Sequence, residues 1–136
     1  MVRSILAVVA GFCATGILVV GTTQGVMAAF PAAFDARGGT SSIPMLLVMH
    51  LYVAIYAIFG CWLAARLAPS NPMRHALIVG ALGAALNAVN VSLAWDLFPW
   101  WSNVISIATP MLWARIGGAI REGQIARQSS AAILAA

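Results

Sequence analysis

An all-α integral membrane bundle of four spanning helices is the fold class this sequence predicts, on three observations. Hydrophobic residues fill 62% of the 136 positions and charged residues only 7%, against about 25% charged in an ordinary soluble domain. The few charges leave the runs 4–34, 38–65, 76–95 and 97–114 free of Asp, Glu, Lys and Arg, and a spanning helix needs about 20 apolar residues. The chain has no lysine, and six of its seven arginines (Arg3, Arg66, Arg74, Arg115, Arg121, Arg127) fall on one side of a four-span layout, with Arg37 alone on the other.

So few charges exclude a water-covered globular enzyme and a disordered chain. The surplus of four positive charges flanks the apolar runs. That is the pattern of topology and anionic lipid rather than of a nucleic-acid footprint. By the positive-inside rule both chain ends and the 66–74 turn are cytoplasmic, while Asp35 and Asp96 lie outside. Trp95, Trp100 and Trp101 then form an outer aromatic belt, and Trp62 and Trp113 mark the inner interface.

The punctuation fixes each element. The first span covers about 4–30 and stops at Pro31; its apolar run is longer than the ~7–15 residues of a signal-peptide core. Asp35, Arg37, Gly38 and Gly39 read as a loop. Ser42 is a candidate N-cap with Pro44 in the first turn, opening a span over 43–67. Asn71 and Pro72 repeat the signal for a span over 72–95. The fourth, 100–117, contains Pro110, which removes a backbone hydrogen bond and kinks a helix. The hydroxyls of Ser106 and Thr109 stand near the freed carbonyls. These spans make one transmembrane unit, 1–118. The remainder, 119–136, reads as a cytoplasmic tail with an interfacial helical pattern of Ile120, Ile125 and Ile133.

Helices in lipid associate through small and polar residues, so stripes of these name the packing faces. They are Ala7, Gly11, Ala14, Leu18, Gly21, Gly25 in the first span, and His50, Ala54, Ala57, Cys61, Ala64 in the second. The third has Ala76, Gly80, Gly83, Asn87, Asn90, Ala94, and the fourth Asn103, Ser106, Pro110, Trp113, Gly117. Gly21-x-x-x-Gly25 also matches a helix-contact motif. Polar residues crowd the outer half: Thr22, Thr23 and Gln24, His50 (about 9 Å below the end of its helix at 1.5 Å per residue), Asn87, Asn90, Asn103 and Ser106. Polar side chains in a membrane are costly, so they serve either as interhelical glue or as a site. His50, Asn87, Asn90 and Asn103 are the expected cluster, converging through hydrogen bonds.

The chemistry on offer is sparse. His50 is the only ionisable group expected within the membrane, and His75 sits at a helix start beside Arg74, at the interface. Cys13 and Cys61 lie at different depths from each other and from His50, which predicts two free thiols, no disulfide and no zinc set. No catalytic triad can be assembled and no metal or cofactor is expected. One alternative stays open, a haem or chlorophyll held by His50 through a single axial position.

The segments Cys61-Trp62-Leu63-Ala64-Ala65-Arg66-Leu67-Ala68-Pro69, Pro72-x-x-His75-Ala76-x-x-x-Gly80, Asn87 and Pro110-x-x-Trp113-x-x-x-Gly117-Gly118, with the opening Ile5-Leu6-Ala7-x-x-Ala10-Gly11-Phe12, carry a resemblance. The chain resembles a widespread group of small, uncharacterised four-span bacterial membrane proteins. The resemblance implies the four-span topology and a multi-pass place in the bacterial inner membrane, and it transfers no site. Small multidrug exporters share the size but work through a glutamate embedded in the first span, and no acid occurs over 1–34. Two functional readings follow. In the first the chain is a non-enzymatic accessory subunit or self-associating scaffold, with lipids and other membrane subunits or its own copies as partners and no nucleic acid. In the second it is a small transporter or ligand- or lipid-binding protein with an outer pocket around His50.

Overall fold

Proline sets most of the helix boundaries. The computed structural model describes residues 2–134, which contain helices and turns and no strand. Helix α1 (Val2–Ala29) ends just before Pro31, which opens a one-turn 3-10 helix, Pro31–Ala33. Helix α2 (Ile43–Leu67) carries Pro44 in its first turn, and α3 (Pro72–Leu93) begins on its proline. A second 3-10 turn, Trp95–Leu97, leads to α4 (Trp100–Ala108) and α5 (Pro110–Leu134). The three helices α1, α2 and α3 are each long and apolar enough to cross a membrane.

Neither expected side-chain cap forms. Ser42 and Asn71 precede their helices without a side-chain cap bond. At Ser42, Pro44 in the second helical position has removed one of the two donors a cap would take. Ser42 serves through its carbonyl, which accepts from Leu46 N at 2.9 Å. Asn71 turns the chain in a left-handed conformation (φ 48°), which asparagine tolerates better than most residues. Its carbonyl accepts from Arg74 N and from His75 Nδ1 at 3.1 Å. His75 is buried with its ring folded back onto that turn.

The chain runs up and down, so one end of the bundle gathers Arg3, Arg66, Arg74 and Arg115 and the other gathers Asp35, Arg37 and Asp96. At the arginine end the helices meet at van der Waals distance on small residues. A Cβ on Gly11 would strike the Gly60 carbonyl, and one on Gly60 would strike Gly11 O and Thr15 Oγ1. Gly117 lies against the α2 backbone at Ile58 and Trp62, and Gly80 against Ala114 and the Pro110 carbonyl. Cys61, Ala64, Ala65, Ala76, Val79 and Ala114 form the buried core there. The stripes of α2, α3 and the fourth segment therefore face inward at this end. Both cysteines are free, Cys61 in this core and Cys13 exposed.

The outer half of the α1 stripe does not pack as expected. A Cβ on Gly16, Gly21 or Gly25 would meet nothing within 4 Å, and Leu18 is exposed. Two hydroxyl pairs hold this stretch to α2 instead. Thr22 Oγ1 donates to Tyr56 Oη at 3.0 Å, and Thr23 Oγ1 pairs with Tyr52 Oη at 2.7 Å. These tyrosines hold α1 against α2.

The loops at the aspartate end clasp each other. Asp35 Oδ1 accepts from the backbone N–H of Arg37 and of Gly39, both at 2.8 Å, a carboxylate-closed turn in which Gly38 takes φ 82°. That turn lays Arg37 against the other loop, where Nη2 donates to Asp96 Oδ2 at 2.6 Å. Thr40 N donates to Leu97 O at 3.1 Å. The Arg37 guanidinium holds the Asp96 carboxyl below the usual carboxylate range, first through their hydrogen bond and then through charge.

The fourth segment breaks at Thr109, as Pro110 requires. The expected tail helix is present as the direct continuation of α5 beyond Gly118 rather than as a separate element, and residues 135 and 136 lie outside the described residues. Trp62 Nε1 ties it to α2 through Gln124 Oε1 at 3.2 Å.

Candidate functional site

Beyond the close packing at the arginine end, a cavity of about 490 Å³ opens on the aspartate side of the core. This lies within the range of about 300–1,000 Å³ typical of ligand pockets. All four helical segments contribute, and His50, Asn87, Asn90 and Asn103 all line it. Most of the wall is apolar, with Phe12, Val19, Met49, Val53 and Phe98 among the lining residues. Val20, Leu86, Asn90 and Ile105 line it yet are exposed. They mark a mouth on the flank of the bundle, between helices.

The four polar residues share this cavity, but among the described residues no hydrogen bond joins any two of them. The expected hydrogen-bonded cluster is replaced by a set of separate bonds to backbone. The physical reason is that broken helices expose carbonyls, and these compete for the same amides. Pro110 has no N–H for the carbonyl of Ser106, and Asn87 Nδ2 donates to that carbonyl at 2.7 Å across the α3–α4 contact. Asn103, 2% exposed, donates from Nδ2 to Trp95 O at 2.9 Å and Phe98 O at 3.3 Å, closing the turn ahead of α4. Ser106 and Thr109 spend their hydroxyls on Asn103 O at 2.8 Å and Ile105 O at 2.9 Å, so the Ser106 carbonyl is rescued by Asn87 rather than by them. Asn90 stands exposed at the mouth.

His50 is held from both sides. Nδ1 lies 2.8 Å from Leu46 O, and the ring stacks on Trp101 with centroids 6.3 Å apart. Trp101 is therefore a partner of His50. Trp113, expected at the inner interface, lines the cavity. Nε2 of His50 is buried and has no partner among the described residues. Since a carbonyl only accepts, Nδ1 carries the hydrogen, and in the neutral ring Nε2 is left with a lone pair.

No set of three or more His, Cys, Asp or Glu is placed to hold a metal ion among the described residues. A tetrapyrrole would have one axial nitrogen here, His50 Nε2. The signals that sequence reasoning missed are Tyr52 and Tyr56. Their hydroxyls stand one helical turn apart in an apolar span, and such hydroxyls need partners.

No protein-family model, curated relative or solved structure matches this chain.

Proposed function

We propose that the protein is a non-enzymatic binding protein of the bacterial inner membrane that takes a lipophilic molecule from the bilayer into this cavity. The observation that carries the reading is the cavity itself, pocket-sized, largely apolar and bordered by all four helical segments at the level of their polar residues. Its mouth on the flank suits a ligand arriving through lipid. The distribution of arginines supports a topology with both chain ends cytoplasmic, in which the His50 end of the cavity is turned towards the outer leaflet.

The test is quenching of tryptophan emission by 1-bromododecane in the purified full-length chain, reconstituted in lipid, since Trp113 lines the cavity and Trp101 stacks on His50 of its wall. Saturable quenching of Trp113, the tryptophan in the cavity wall, is expected, and Gly83→Leu, which adds a side chain at a wall position and improves helix propensity, is expected to abolish it. Linear, non-saturable quenching equal in both proteins would overturn the reading. So would a Soret absorbance in the purified chain, because it would place a porphyrin on His50. A reporter fused after Ala136 that is active only outside the cell would overturn the topology.

A second reading, assembly with another membrane subunit or a second copy, has one observation of its own. Gly21 and Gly25 of α1 face open space at helix-contact spacing. Cysteine cross-linking at Gly21 in native membranes tests it, with a discrete cross-linked band as the expected result.

A further inference from the structure

We infer that the ligand's polar end is a neutral hydrogen-bond donor, a hydroxyl on a long apolar body, received by the acceptors His50 Nε2, Asn87 Oδ1 and Asn103 Oδ1. The inference rests on the binding reading above and narrows it to a chemical class.

The argument is a count of what each wall residue has left to offer. Thr15 donates its hydroxyl hydrogen to backbone carbonyls, Gly11 O at 3.0 Å and Tyr56 O at 3.3 Å. Ser106 and Thr109 do likewise. Asn103 spends both amide hydrogens on Trp95 O and Phe98 O, and Asn87 spends one on Ser106 O. His50 Nδ1 is spent on Leu46 O. After these bonds the same residues keep only oxygen or nitrogen lone pairs, apart from the second hydrogen of Asn87. Asn90 and Ser102 retain both kinds of capacity, as does Asn87 through that hydrogen, and the indole N–H of Trp113 is one further donor. The wall therefore has acceptors in surplus, and one of them, His50 Nε2, is a buried atom with no partner among the described residues. Leaving such an atom unpaired is costly, so a donor brought to it is favoured more than at a wetted site.

Charge narrows the class further. No Arg, Lys, Asp or Glu lines the cavity. An anion would find lone pairs and no cation. A cation would lose its hydration with no carboxylate to replace it, which is prohibitive in an apolar setting. The nearest acids belong to the loops, where Asp96 is already paired with Arg37. A neutral O–H is what remains. Its apolar chain fits the rest of the wall, Phe12, Val19, Val53 and Val79.

The experiment is competition against 1-bromododecane quenching by dodecan-1-ol, by dodecyl methyl ether and by dodecanoate in the reconstituted full chain. The alcohol and the ether share oxygen and chain and differ in the donor hydrogen. The alcohol is expected to compete about tenfold more tightly than the ether, a difference of about 1.4 kcal/mol, and dodecanoate more weakly than either. His50→Phe keeps the ring against Trp101 and removes the acceptor; it should bring the alcohol-to-ether ratio towards one while bromododecane still quenches. Equal competition by alcohol and ether, preference for dodecanoate, or an undiminished alcohol preference in His50→Phe would overturn the inference and leave the binding reading standing. Absence of any saturable quenching would overturn both.

Discussion

Asn87 on α3 supplies the hydrogen that Pro110 cannot. Its Nδ2 lies 2.7 Å from the carbonyl of Ser106, the acceptor that residue 110 of an unbroken helix would use. A kink in one helix is thereby stitched to its neighbour, and a packing residue becomes part of the cavity wall.

Asn87→Leu should lower stability by about 1–3 kcal/mol, the usual cost of a buried carbonyl left alone. Pro110→Ala restores a backbone N–H for Ser106 O. In that background Asn87→Leu should cost much less, and the coupling is read from a double-mutant cycle in a detergent unfolding series. Equal costs in both backgrounds would refute the stitch.

Glycines on the two halves of the bundle should respond in opposite ways. Gly60→Ala pushes a methyl onto Gly11 O and Thr15 Oγ1 and should destabilise by about 1–3 kcal/mol. Gly21→Ala meets nothing and should stabilise by up to about 1 kcal/mol through helix propensity. Thermal unfolding of the two variants side by side decides this.

Tyr52→Phe and Tyr56→Phe each remove one hydroxyl pair between α1 and α2, worth about 0.6 kcal/mol on the average for membrane hydrogen bonds. The double variant should widen the spread of distances between spin labels placed at residue 25 of α1 and in the α3–α4 loop. An unchanged distribution would mean that α1 is positioned by other contacts.

The Arg37–Asp96 contact has a definite pH sign. The folded-state pKa of Asp96 is lowered by the Arg37 hydrogen bond and charge. Its contribution is thus complete above the ordinary carboxylate value of about 4 and is lost as pH falls through the depressed folded value. Carboxyl NMR of Asp96 should titrate below about 4 and move back up in Arg37→Gln. Because both side chains are well exposed, 63% and 66%, the melting temperature should barely change, and salt should weaken the contact.

Much of the helical layout was legible because it depends on local rules. Proline at 31, 44 and 72 marks helix boundaries within two residues, and Pro110 marks the break. The small-residue stripes were legible at the arginine end, where glycine and alanine leave close backbone approach as the favourable arrangement. They failed over 14–25 of α1 because periodicity names a face without naming the partner that claims it, and two tyrosine hydroxyls on α2 claimed Thr22 and Thr23. His50, Asn87, Asn90 and Asn103 line one cavity, yet their bonds were not legible. Each amide found a carbonyl exposed by a helix break, and the spatial match of Asn87 to Ser106 or Asn103 to Trp95 follows from how the helices cross.

Free volume in this molecule is distributed along its length, and that gives it a stiffness gradient. The Gly117 contact with the α2 backbone at Ile58 and Trp62 joins the α1–α2 hairpin to the fourth segment with no slack. From Ile58 to Ile43 is about 22 Å at 1.5 Å per residue, so a rotation of about 3° at this fulcrum moves the far end of α2 by about 1 Å over that arm. The Arg37–Asp96 and Thr40–Leu97 contacts join the two arms at their tips, like the catch on a pair of tongs. With the catch closed, the width of the gap is fixed by loop geometry. With it released, the gap becomes a compliant dimension, set by whatever the arms hold.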